Sequence, residues 1–212
     1  MASTLSLAEL LRRLGDVAFE AKPRAAPLLR LPAELAPKAR RPLRADQCAA
    51  GADQAARPSS QALRLAETVL SYQLEALQET YEALQKLLRD VIKRPELRDE
   101  LYALLLKQTR GKVDAKPLAR GWELFVFATA TAPPSRELLG AVSEYIHATV
   151  HETATPPEAL ALALKAWGLL KRTAKSGARR VVPGADELEA LRRGSTLSCI
   201  VRAPRYGYRV LC

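Results

Sequence analysis

Between Trp122 and Ala130 the chain is almost uniformly apolar, interrupted only by Glu123 and Thr129. A helix apolar all round belongs at the centre of a domain, with other helices packed about it. The rest of the chain is composed to supply them. Hydrophobic residues make up 48% of the 212 positions and aromatic residues only 5%. The core must therefore be mostly Leu, Ala and Val. Leu and Ala are strong helix formers, so the body is expected to be all-α. The length suits one domain with a real core plus an appendage.

Candidate partner helices flank that stretch. Residues 6–20 read as an amphipathic helix: Ser6 and Glu9 have capping-box spacing, and Leu7, Leu10, Leu11 and Leu14 share a face. Residues 1–23 are read as an N-terminal unit that docks on the core. Six prolines between Pro23 and Pro58 argue against long helices there, and residues 39–60 are read as a loose insertion. From Leu63 to Val91, apolar residues recur at near-heptad intervals without Gly or Pro. Residues 61–93 are read as one or two helices inside a bundle, with a dimeric coiled coil as the alternative. Pro95 opens the next helix, which carries Leu97, Leu101, Leu104 and Leu105 and closes at Arg110–Gly111. Ser135 is an N-cap for a helix bearing Leu138, Val142, Tyr145 and Ile146. Thr155 and Glu158 form a second capping-box spacing, before a helix bearing Leu160, Leu164, Trp167 and Leu170. Asp186 with Glu189 caps a short helix that Gly194 stops. Residues 195–212 read as a β-hairpin.

Chemistry is sparsely represented. Three scattered cysteines and two histidines supply no clustered zinc ligands. His147 and His151 stand at i, i+4 with Glu144 and Glu152 beside them, but no HExxH occurs, and they are read as exposed histidines near a helix end. No nucleophile motif or phosphate loop is present. No enzymatic activity, cofactor or metal is expected. No run approaches the length of a membrane-spanning helix. The scattered cysteines fit a reducing cytoplasm.

The net charge of +10 instead implies an acidic partner. The strongest cluster is Lys165, Lys171, Arg172, Lys175, Arg179, Arg180, Arg192 and Arg193. A second comprises Lys107, Arg110, Lys112, Lys116 and Arg120. Together they are expected to make one broad basic face. Aromatics are scarce near both, which disfavours base stacking and hence nucleic acid.

Arg94-Pro95-Glu96-Leu97-Arg98-Asp99-Glu100-Leu101-Tyr102, Lys107-Gln108-Thr109 and Arg120-Gly121-Trp122-Glu123-Leu124 follow one another in an ordered set. Pro27 to Leu31, Ala62 to Leu65, Pro133-Pro134-Ser135 and Glu187 to Leu191 extend it. The set resembles the myosin-tail-homology-4 (MyTH4) domain of unconventional myosin and kinesin tails, over about residues 24–194. The resemblance implies a compact MyTH4-like helical bundle. It also implies that the hairpin at 195–212 is similar to the first strands of a FERM domain's ubiquitin-like lobe.

Most of the shared residues are read as structural. Arg98, Asp99 and Glu100 are expected to pair with charges on neighbouring helices. Tyr102 belongs to the same structural set. Gln108 is expected to bridge a helix end, and Gly121 to permit close helix approach beside the core anchor Trp122. The function expected is cytoplasmic attachment to microtubules through the basic surface, with actin or motor-linked cargo as further candidates. The alternative is a protein-interaction adaptor using the hairpin. Sedimentation of the isolated chain tests the heptad-like stretch: a bundle predicts a monomer, a coiled coil a dimer.

Overall fold

The computed structural model describes residues 5–14, 19, 21, 22, 24–29, 48–76, 80–111, 114–195, 198–202 and 207–211. Among them are eight helices: α1 (Leu7–Leu14), α2 (Cys48–Gln73), α3 (Thr80–Lys93), α4 (Pro95–Gln108), α5 (Ala115–Thr131), α6 (Arg136–His151), α7 (Pro157–Ser176) and α8 (Ala185–Arg193). Beyond them β1 (Ser198–Arg202) runs antiparallel to β2 (Gly207–Leu211), with Ser198 opposite Leu211.

α5 is the centre. Its buried side chains point in all directions and include Trp122, Leu124, Phe125, Val126 and Phe127. α2, α3, α4, α7 and α8 all pack on it. α6 closes over α4 and α7, and α1 lies on α6. Trp122 stacks on Phe125 at 4.8 Å and on Tyr145 at 5.8 Å, and those two rings lie 6.1 Å apart, so the central helix is tied to α6 through an aromatic cluster.

The helices differ from the expectations in instructive ways. α1 is capped as expected, the Glu9 amide donating to Ser6 Oγ at 3.2 Å, and it is described over Leu7–Leu14; residues 15–18 lie outside the described residues. Phe19 is not helical; its amide donates to the Arg110 carbonyl at 3.3 Å. α1 docks on α6, where the Leu5 and Leu7 amides reach the Glu137 carbonyl and Glu144 Oε2. Residues 48–60, read as a loose insertion, are the first half of α2. Five alanines precede Pro58 there, and their high helix propensity opposes the cost of about 3 kcal/mol that an interior proline brings. Residues 39–47 lie outside the described residues.

The heptad-like stretch is two helices in the bundle. α2 ends at Gln73, and Glu75 takes a left-handed φ of 57°. The buried face of α2 is Ala62, Leu65, Ala66, Val69, Leu70 and Tyr72, while Leu74, just past its end, is 45% exposed. The regular spacing across that break is therefore not a continuous seam.

α7 buries only part of the face expected. Ala159, Ala163, Ala166, Leu170 and Thr173 face inward, whereas Leu164 is 51% exposed. Small residues let α7 lie closely along α5; of the expected stripe Leu170 is buried, Leu160 and Trp167 are half-buried and Leu164 is exposed. Thr155 and Asp186 do not cap as predicted. Thr155 Oγ1 donates to the Thr149 carbonyl at 3.1 Å, and neither α7 nor α8 has a side-chain cap.

Close approach also governs Gly121. A Cβ there would stand 2.7 Å from Gln73 Nε2 and 2.7 Å from Thr109 Cγ2. A Cβ on Gly168, in α7, would meet nothing within 4 Å. Gly121→Ala is expected to destabilise the protein by about 1–3 kcal/mol. Gly168→Ala should stabilise it by about 0.5–1 kcal/mol through helix propensity alone. Urea unfolding of both variants checks the contrast.

Candidate partner-binding surface

α4 holds the bundle together through one turn of polar side chains. Successive residues on a helix point about 100° apart. Arg98, Asp99 and Glu100 therefore reach three different segments. Arg98 Nε and Nη2 donate to the Val91 and Ile92 carbonyls, both at 2.8 Å, closing the end of α3. Asp99 Oδ1 accepts the Ser135 amide at 2.8 Å, at the start of α6. Glu100 accepts the amides of Leu28 at 2.6 Å and Leu29 at 2.8 Å. One turn on, the Tyr102 hydroxyl donates to the Ala132 carbonyl at 2.8 Å. Backbone groups, not partner charges, thus take the side chains expected to form ion pairs. Loop and helix-end amides and carbonyls need buried partners, and these side chains supply them. Burial raises the Glu100 pKa, and its two backbone amides pull the other way.

A second polar knot surrounds Gly121. Gln73, buried, donates to the Gln108 carbonyl at 3.3 Å and the Pro117 carbonyl at 3.2 Å. It spans the gap between α4 and α5. Gln108 contributes its carbonyl here, and its helix end is bridged by a residue that the sequence did not single out. Thr109 Oγ1 bonds the Tyr145 hydroxyl at 2.7 Å. Burial pushes the Tyr145 phenol up to about 12.

The cations do not form one face. α5 and α7 run parallel, with Thr173 Oγ1 on the Thr129 carbonyl and the Arg179 amide on the Thr131 carbonyl. The end of α7 therefore sits at the C-terminal end of α5, while Lys116 and Arg120 lie at its N-terminal end. At 1.5 Å per residue, Lys116 and Thr131 are roughly 22 Å apart along the axis. The end of α7 and the start of α5 are therefore separate regions, whereas Arg192 lies within electrostatic reach of Glu123 and Tyr72, the neighbours of Arg120. Lys112 lies outside the described residues.

Acidic neighbours neutralise much of the charge. Glu75 accepts from Lys116 and from Arg120, both at 2.6 Å, and these bonds hold its carboxyl below the usual range. Arg120 also lies 5.1 Å from the Tyr72 ring, whose hydroxyl donates to Glu123 Oε2 at 2.7 Å. Glu189 takes Arg192 at 2.8 Å and also Arg193, one turn along α8. Arg179 meets Glu187 at 2.5 Å. Lys165 donates to the Leu191 carbonyl at the end of α8, and burial lowers its pKa. Lys107 and Arg110 are half-buried at the end of α4.

The end of α7 is the exception. Arg172, Lys175 and Arg180 are exposed and have no acidic partner among the described residues. Lys171, itself exposed, places its ammonium over the Trp167 ring, 4.5 Å from the centroid. No acidic residue occurs between Glu158 and Asp186. Half-exposed Trp167 and exposed Leu164 continue this surface along α7, and His147 of α6 packs 5.8 Å from Trp167. Glu75 left no mark in the sequence, since its partners are more than forty positions away. Glu189 was legible at i+3 and i+4 from its arginines. No group of three metal-ligating side chains and no helix long and apolar enough to cross a membrane occur among the described residues.

This geometry has known counterparts. The model of the MyTH4 domain family matches residues 84–190, about half of the chain. A kinesin-like protein of Arabidopsis thaliana, KIN-14E, is 43% identical over 116 residues, which is 55% of this chain and 9% of that protein. The chain thus spans less than a tenth of that relative. The MyTH4-FERM MF1 domain of Dictyostelium discoideum myosin VII superposes with a TM-score of 0.72 at 20% identity, over 95% of this chain and 38% of that one. The C-terminal MyTH4-FERM domain of human myosin 7b, solved in complex with the harmonin-a PDZ3 domain, gives 0.68 at 19% identity, over 92% and 36%. At such identities the structural matches speak for the fold alone.

The contact pattern separates framework from surface. Arg98→Ala, which strips two carbonyls of α3 of their donor, is expected to cost about 2 kcal/mol. Arg172→Glu, Lys175→Glu and Arg180→Glu should each change stability by less than about 0.5 kcal/mol. Thermal or urea melts of the four variants check both halves.

Proposed function

Because the chain belongs to the MyTH4 domain family, whose members are binding modules in kinesin and myosin tails, we propose that it is a non-enzymatic module attaching to microtubules through the end of α7. The observation that carries this reading is the group Lys171, Arg172, Lys175 and Arg180, exposed together and without acidic partners among the described residues. Charges already paired with carboxylates attract little at a distance. The four at the end of α7 project a field over a Debye length of about 8 Å at physiological salt. Acidic, flexible tails of tubulin are the complementary ligand. Similarity to kinesin-like proteins favours microtubules over actin as the acidic polymer. The place of action is then the cytoplasm, on the cytoskeleton.

A second reading is a protein-interaction adaptor, favoured by exposed Leu164 beside half-exposed Trp167. On that reading β1 and β2 open a FERM-type ubiquitin-like lobe, and their edges pair with a partner strand. The relative solved with a PDZ domain gives this reading its precedent.

Co-pelleting with microtubules, with actin filaments alongside, separates the two. Microtubule pelleting should weaken with salt and disappear when the acidic tails are clipped. The combined variant K171E/R172E/K175E/R180E should lose at least about tenfold in affinity, or about 1.4 kcal/mol, with an unchanged melt. Unchanged pelleting by that variant removes the proposed surface. Absence of pelleting with either filament shifts the assignment to the adaptor, whose partner capture should then depend on residues 198–211.

A further inference from the structure

We propose that His147 and His151 form a surface chelate for a divalent transition-metal ion, copper(II) ahead of zinc(II). The two side chains stand one turn apart on α6, and their Nε2 atoms converge to 3.1 Å. Metal–imidazole bonds are about 2.0–2.1 Å long. An ion at that distance from both nitrogens subtends an angle of about 98°, between the square-planar and tetrahedral values. The same ring placement that supports a hydrogen bond between neutral imidazoles thus also suits two metal bonds.

The pair is held in place from beneath. Tyr145, Ile146 and Thr149, on the same stretch of α6, are buried, so the backbone that carries both histidines is fixed to the core. The His147 ring packs against Trp167, at 5.8 Å between centroids. Both histidines are exposed, so an ion would keep positions open to water.

The donor set limits what the site can be. Glu144 is committed to the Leu7 amide at 3.0 Å, and no third His, Cys, Asp or Glu joins the pair among the described residues. Two neutral imidazoles suit a borderline ion such as copper(II), nickel(II) or zinc(II) and not calcium or magnesium. No protein acceptor for either Nδ1 occurs among the described residues, so the ligands lack the outer support that tightens structural sites. The site is exchangeable, and its order of affinity should follow the intrinsic one, copper above nickel and zinc.

Trp167 supplies the readout. Copper(II) quenches a nearby indole, and Trp167 touches His147, while Trp122 is sealed in the core. Titrating the full chain with copper(II) should give saturable quenching, reversed by EDTA. Nickel(II) and zinc(II) should compete more weakly. His147→Gln and His151→Gln should each weaken the apparent affinity at least tenfold, and the double variant should abolish the saturable phase. Electron paramagnetic resonance of the copper complex should show two nitrogen ligands, both lost in the double variant. Absence of saturable quenching, or its survival in the double variant, overturns the proposal. Circular dichroism of the variants, whose changed side chains are solvent-exposed, keeps loss of binding distinct from loss of fold.

Discussion

A buried carboxylate must be given hydrogen-bond donors or it cannot keep its charge. Glu100, 0% exposed, finds them in the amides of Leu28 and Leu29. The bond is reciprocal in its effect: an irregular segment without secondary structure has two amides satisfied, and the acid has its donors. Arg98 and Asp99 repeat the arrangement toward α3 and α6. A single turn of α4 therefore sets the positions of three segments that helix propensity could not place. The rest of the bundle is arranged around that turn.

α5 supplies the complementary constraint. Its apolar surround needs helices on every side, and Gly121 lets Gln73 and Thr109 come within a distance that any side chain would block. The result is a crossing where polar groups of α2, α4 and α6 meet beside Trp122 without opening the core. Gln73 satisfies one carbonyl at the end of α4 and another in the first turn of α5. Such a crossing tolerates little change, since volume and hydrogen bonding are fixed at once.

Against this rigid frame, the surface is where one member of the family can differ from another. Its electrostatics depend less on how many cations the chain carries than on which have carboxylates within reach. Glu75 and Glu189 each take two cations, and Glu187 takes one. The end of α7 escapes because the chain places no acid between Glu158 and Asp186. A packing choice adds to this. By turning its alanines to α5, α7 leaves Leu164, Trp167 and Lys171 on one outward stripe.

The sequence alone determined the helical class, the central place of the Trp122–Ala130 stretch, the start of α4 at Pro95, the Ser135 cap and the stop at Gly194. Each rests on local physics: propensity, periodicity, a proline's missing amide or a glycine's left-handed turn. The MyTH4 family was also legible there, because its ordered residues are the ones that bond backbone across the bundle. Only the tertiary structure decided what those residues bond to, since the partner amides and carbonyls carry no side-chain identity to read. It decided that the Leu63–Val91 repeat is two helices and that residues 48–60 extend α2. It also turned α7 by its alanines and set the cations at the end of α7 apart from those at the start of α5. These outcomes depend on which surfaces meet, and periodicity reports only that a surface exists.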